Sequence, residues 1–161
     1  MPIFTQTLGC NYDMGKPEFE NQLKAELEKN KSSISINIDQ LISNLTEKIS
    51  GINIGIFTSQ DGDGMFSIYA NAIGPDLYVR QKEIKEYANL FDPKFTSNGI
   101  EPYIPTVDDP FEVDFDVNDC IVDLVALWLK ASFSSKSFPD GAEFQIVGND
   151  GYGTVTPLSL P

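Results

Sequence analysis

The residues best equipped for chemistry lie in one run. Between Asp108 and Asp123 stand Asp108, Asp109, Glu112, Asp114, Asp116, Asp119 and Asp123, with no Lys or Arg among them. Carboxylates this dense can work in pairs as general acid and base or meet a basic partner. The commoner catalytic and metal sets need residues that this chain lacks. The chain contains no histidine, so Ser-His-Asp and Cys-His sets and His metal sites cannot be built. It has no Gly-Lys-Ser/Thr phosphate loop and no G-x-G-x-x-G following a strand. A carboxylate pair alone could serve a glycoside hydrolase, but with 24 Asp and Glu such pairs arise by chance. The expectation is a non-enzyme with no catalytic residue, metal or cofactor.

A second acidic motif, Asp61-Gly62-Asp63-Gly64, has the look of a calcium loop. Counted from Asp61, the sixth position is Phe66 and the twelfth is Ala72, where an EF-hand needs Gly and Glu. The motif reads instead as a hairpin turn whose glycines tolerate positive φ.

That leaves docking. Phe111, Val113, Phe115 and Val117 alternate with Glu112, Asp114 and Asp116. If extended, this segment puts rings and aliphatics on one face and carboxylates on the other. It is then either a docking face for a basic partner or an acidic edge strand that blocks edge-to-edge aggregation. Residues 101 to 161 hold 11 acids against 2 bases, and residues 1 to 100 hold 13 against 9, so negative charge is concentrated toward the C-terminal part. Over the whole chain, 11 Lys and Arg against 24 Asp and Glu give a net charge of −13, and the sequence pI is near 4.2. Such a surface repels phosphate, which excludes nucleic-acid binding through a basic footprint. It attracts basic proteins and speeds their encounter. Tyr152, between Gly151 and Gly153, should sit in a turn with its ring partly accessible, as a binding hot spot requires. The expected partner-binding set is Asp108, Asp109, Glu112, Asp114, Asp116, Asp119 and Tyr152.

These residues need a scaffold, and 161 residues suit one domain spanning 1–161. Residues 1 to 16 read as irregular, with Gly9 and Gly15 as breakers. Phe19, Leu23 and Leu27, then Ile34, Ile38, Leu41, Ile42, Leu45 and Ile49, follow helical spacing. Pro17 suits a first turn and Gly51 an end, so the spacing allows one long helix or two meeting near residue 31; with no Gly or Pro between, a continuous or gently bent helix is favoured. Alternation then predicts a hairpin of Ile52–Ile56 with Phe66–Ala70. Leu77–Val79 reads as a short third strand and residues 81 to 91 as a short helix. Four prolines between 92 and 116 leave a long, partly extended segment. Asp116 or Asn118 can cap a helix over about residues 117 to 134, with Trp128 at the centre of its apolar face. Phe144, Ile146 and Val147 predict a last strand, followed by a short extended tail. The fold expected is α+β: a small, mainly antiparallel sheet packed with a long N-terminal helix and a second apolar-faced helix.

Cys10 and Cys120 are far apart in sequence, and Cys120 falls in the apolar helical run, as a buried free thiol would. Leu8-Gly9-Cys10 matches the end of a lipoprotein signal but lacks the hydrophobic region before it. No apolar run approaches the roughly 20 residues of a membrane helix. A cytoplasmic protein without membrane contact is expected.

The phrases Asp61-Gly-Asp-Gly-Met-Phe66, Gly74-Pro-Asp-Leu-Tyr-Val79 and Asp150-Gly-Tyr-Gly-Thr-Val-Thr-Pro157 resemble segments of an uncharacterised family of small bacterial proteins. That resemblance brings no catalytic residues with it. In size, acidity and lack of catalytic groups the chain is also similar, by type, to the immunity proteins of bacterial toxin systems. This likeness implies a cytoplasmic inhibitor that neutralises a cognate basic toxin, such as a nuclease. The alternative is a non-enzymatic adaptor or structural module. Oligomeric state is left open.

Overall fold

The computed structural model describes residues 14–160. Cys10, the lipoprotein-like Leu8-Gly9-Cys10 and most of the irregular segment expected over residues 1 to 16 lie outside them.

The fold is α+β, as expected. Helices α1 (Lys16–Lys29) and α2 (Lys31–Ser43) come first, then the hairpin of β1 (Gly51–Thr58) and β2 (Phe66–Ile73). Helix α3 (Leu77–Ile84) and strand β3 (Asn89–Phe91) lead to a separate small hairpin, β4 (Lys94–Thr96) with β5 (Gly99–Glu101). Helix α4 (Val117–Phe133), β6 (Glu143–Gly148), a 3-10 turn (Asn149–Gly151) and β7 (Leu158–Leu160) complete it. The main sheet runs β3-β2-β1-β6-β7, with the β1–β6 pair parallel and the other pairs antiparallel.

Period-two burial decides the sheet. Ile52, Ile54 and Ile56 of β1, Ile68 of β2 and Ile146 of β6 are fully buried on one face. Asn53, Ser67, Tyr69, Asn71 and Gln145 line the other, half-buried. The buried face joins Phe19, Leu23, Leu27, Ile34, Ile38 and the inner face of α4 in one core cluster. Fully burying such a side chain is worth about 1.5–3 kcal/mol relative to exposure. Trp128 is a core residue with one polar tie: its Nε1 donates to Glu28 Oε2 at 2.7 Å, joining α4 to α1. Cys120 is a buried free thiol, pushed up to about 11 by burial and then by the charge of Glu20.

Four expectations are corrected. The N-terminal helix is two helices meeting at Asn30, and the second ends at Ser43 rather than Gly51. Asn30 Nδ2 donates to the Glu26 carbonyl at 2.7 Å, so the side chain takes an acceptor of the last turn. Asn competes with the backbone in this way and favours helix ends, which the apolar spacing alone does not reveal. Next, Leu77–Val79 is the first turn of α3 and not a strand. All three side chains are exposed, and Arg80 and Ile84, four apart, are the buried pair. Strand propensity reflects packing on a half-buried sheet, and here no sheet surface receives these residues. From α3, Gln81 instead serves the edge of β2. Its Oε1 accepts from Ala72 N–H at 2.8 Å and its Nε2 donates to the Ala70 carbonyl at 3.0 Å. This side-chain amide continues the ladder where the short β3 stops. The expected helix over 81 to 91 accordingly shrinks to the end of α3, and its last residues are β3.

Last, residues 108 to 116 are not an extended edge strand. They form turns and bends, with Glu112 N–H donating to the Asp109 carbonyl at 3.0 Å and Phe111 N–H to Asp109 Oδ1 at 2.9 Å. Asx turns of this kind outcompete a ladder when no partner strand lies alongside. The sheet edges are β3 and β7. No helix among the described residues is long and apolar enough to cross a membrane.

Candidate functional site

The acidic segment arrives at α4 as an exposed loop. Asp108, Glu112, Asp114 and Asp116 are exposed, and Asp109 is half-buried within the turn it makes. Of the alternating apolar set, Val113 and Phe115 pack against the core and Val117 is buried, while Phe111 is 96% exposed. The alternation thus holds from 112 to 117 and fails at Phe111, where the turn carries the ring into solvent.

Asp116 caps α4: its Oδ1 accepts from Asp119 N–H at 2.9 Å. The next carboxylates of that helix turn inward to a loop. Asp119 Oδ1 accepts from Gly153 N–H at 2.7 Å. One turn later, Asp123 Oδ1 accepts from the N–H groups of Thr154 at 2.6 Å and Val155 at 3.0 Å, and its Oδ2 accepts from Thr154 Oγ1 at 2.8 Å. Burial acts to raise the Asp123 carboxyl, but the Thr154 and Val155 hydrogen bonds outweigh it and hold the group below the usual carboxylate range. Asp119 and Asp123 therefore clamp the loop after the 3-10 turn. The same loop carries Tyr152, half-buried, whose N–H donates to the Asn149 carbonyl at 3.1 Å.

These pieces converge. The turn between β1 and β2, the acidic loop, the start of α4 and Tyr152 enclose a surface depression of about 300 Å³. Asp61, Phe111, Phe115, Asp116, Asn118 and Tyr152 are in its wall, and no Lys or Arg is. Two positions expected in the docking set, Asp116 and Tyr152, are thereby brought together. Asp108, Asp109, Glu112 and Asp114 are not part of the wall, and Asp119 serves the loop clamp. By sequence alone Asp61 is only a turn residue and Asn118 only a possible cap. The Asp61-Gly62-Asp63-Gly64 run was the available signal, because its glycines allow a turn of this shape. Gly64, at φ +109°, leaves no room for a Cβ, which would come 2.8 Å from the Pro105 carbonyl oxygen. That close approach seats the turn on the segment leading into the acidic loop, and Val107 N–H ties them by donating to the Asp63 carbonyl at 2.8 Å. For Asn118 the capping signal does not point to this wall; its part depends on a contact 59 residues away, with Ser59.

Chemically, the wall offers hydrogen-bond acceptors, negative charge and aromatic faces. That combination suits a cationic group.

A family model matches residues 14–161, most of the chain, and the chain belongs to that family, a family of unknown function (DUF6389). No curated protein and no solved structure matches it.

Proposed function

We propose that this member of a family of unknown function is a cytoplasmic immunity or inhibitor protein, which binds a basic toxin partner on its acidic loop and blocks it. The observation that carries the reading is Phe111, 96% exposed in a loop whose Asp108, Glu112, Asp114 and Asp116 also face solvent. A phenyl ring held in water contributes nothing to folding, whereas aromatic anchors dominate binding energy at interfaces. The surrounding carboxylates supply what the ring lacks, long-range attraction and selection for a positive partner. The net charge of −13 extends that attraction over the whole molecule. Nucleases are suited as targets because their substrate surfaces are basic, so an acidic loop can occupy the ground that phosphate would take.

The test is capture from the producing cells on immobilised protein, washed at low and then high salt, followed by co-expression. One basic protein should elute as salt rises, should arrest growth when expressed alone, and should lose that effect beside this chain. Recovery of a salt-resistant assembly of harmless proteins would overturn the inhibitor reading in favour of an adaptor.

A further inference from the structure

The wall of the depression contains a polar group with an unmet need. Asn118 is 4% exposed, and its Nδ2 donates to the Ser59 carbonyl at 3.0 Å. That bond leaves Oδ1 as the amide's remaining acceptor, and this oxygen is shielded from solvent and has no hydrogen-bond partner among the described residues. A buried acceptor without a donor costs free energy, and natural structures keep few of them without a use. Asp61 and Asp116 add two carboxylates nearby, and Phe111, Phe115 and Tyr152 add ring faces. The start of α4 opposes a cation with about half an elementary charge, but two full carboxylate charges exceed it.

We infer that this depression receives one arginine side chain of the basic partner. A guanidinium is flat enough to lie against aromatic rings and carries five donors, enough to serve both carboxylates at once. An ammonium has a compact charge and no plane to stack. The volume of about 300 Å³ is at the bottom of the range for small-molecule pockets, about 300–1,000 Å³, and so fits a side chain better than a cofactor. The inference rests on the docking function proposed above and assigns its most specific contact.

The experiment titrates the isotope-labelled protein with three probes: Nα-acetyl-argininamide, Nα-acetyl-lysinamide and the neutral citrulline analogue. Nuclear magnetic resonance follows the Asn118 side-chain amide, the Tyr152 ring and the backbone amides of residues 60 to 62. The arginine probe should give saturable shifts confined to those groups, the lysine probe should bind about tenfold more weakly, and the citrulline analogue should leave them unmoved. The double variant Asp61→Asn/Asp116→Asn should weaken the arginine probe about tenfold or more. Asn caps a helix as well as Asp does, so the double variant should keep its thermal midpoint, which is measured alongside. Shifts that spread over the acidic surface without saturating, equal binding of the lysine probe, or an unchanged double variant would each overturn the assignment. The two proposals fail separately. A toxin captured equally well by the double variant removes the arginine site and leaves the inhibitor. A working arginine site in a protein that captures no toxin removes the inhibitor and leaves the site.

Discussion

Gly153→Ala is expected to lower folding stability by about 3 kcal/mol, the sum of a left-handed backbone penalty and an overpacked neighbour. Gly153 sits at φ +94°, where an L side chain is strained. An added Cβ would run into Val122 Cγ1 and would lie 3.1 Å from Val122 Cβ and 3.2 Å from Asp123 Oδ1. Val122 is fully buried, so it has nowhere to move. For a chain of this size the loss corresponds to a fall in thermal midpoint of about 6–12 °C. Gly151 provides the contrast. It too has a positive φ, +79°, but an added Cβ there meets nothing within 4 Å. Gly151→Ala should therefore show only the backbone part, about 1 kcal/mol. Urea unfolding of the two variants measures both. Equal losses would mean that the close approach of the loop to α4 is not what Gly153 provides.

The second large effect is at Asp123. Asp123→Ala removes an acceptor of three hydrogen bonds and leaves the Thr154 and Val155 donors to find water. Hydrogen bonds to a charged group are worth about 1.5–3 kcal/mol each, but they are not additive and this carboxylate is partly solvated. A total loss of about 2 kcal/mol at neutral pH is expected. The loss should depend on pH. Burial raises the Asp123 carboxyl, but its three hydrogen-bond donors outweigh burial, so its folded value lies below the unfolded one. The charge-linked stabilisation is thus complete above the unfolded pKa of about 3.9 and disappears as pH falls through the folded value. The gap between the parent and Asp123→Asn, which keeps the shape and drops the charge, should narrow as pH falls from 7 through about 4 and below. A gap that stays constant over that range would show the charge to be irrelevant to the clamp.

Both variants act on the loop that holds Tyr152 in the wall of the depression. The clamp illustrates which parts of this protein are legible in its sequence. Period-two burial gave the β1–β2 hairpin and β6 because one face of the sheet is covered and the other is not. The apolar face of α4 and its cap at Asp116 were equally open to reading, since both signals lie within the helix itself. Where the deciding contact lies elsewhere, local pattern misled. Leu77, Tyr78 and Val79 look like strand residues, but they are the exposed side of a helix whose buried members are Arg80 and Ile84. Asn30 broke an otherwise regular apolar repeat through a single side-chain bond. At the site, charge density marked the 108–116 loop, but composition could not separate carboxylates that face water from Asp119 and Asp123, which hold the 153–155 loop. Nor could it bring Asp61 to Asp116, because that meeting depends on how the β1–β2 turn seats against Pro105 and Thr106.

The central claim is that the acidic loop draws in a basic partner. Glu112 and Asp114 are the residues for testing it: both are exposed, and neither caps a helix or clamps a loop. The measurement is the association rate of the captured partner with the parent and with Glu112→Lys/Asp114→Lys, at low salt and again at high salt. The double variant should associate about tenfold more slowly at low salt, and the difference should shrink as the Debye length falls from about 30 Å at 0.01 M toward 3 Å at 1 M. Equal rates at every salt concentration would contradict the claim and place the partner on another face of the protein.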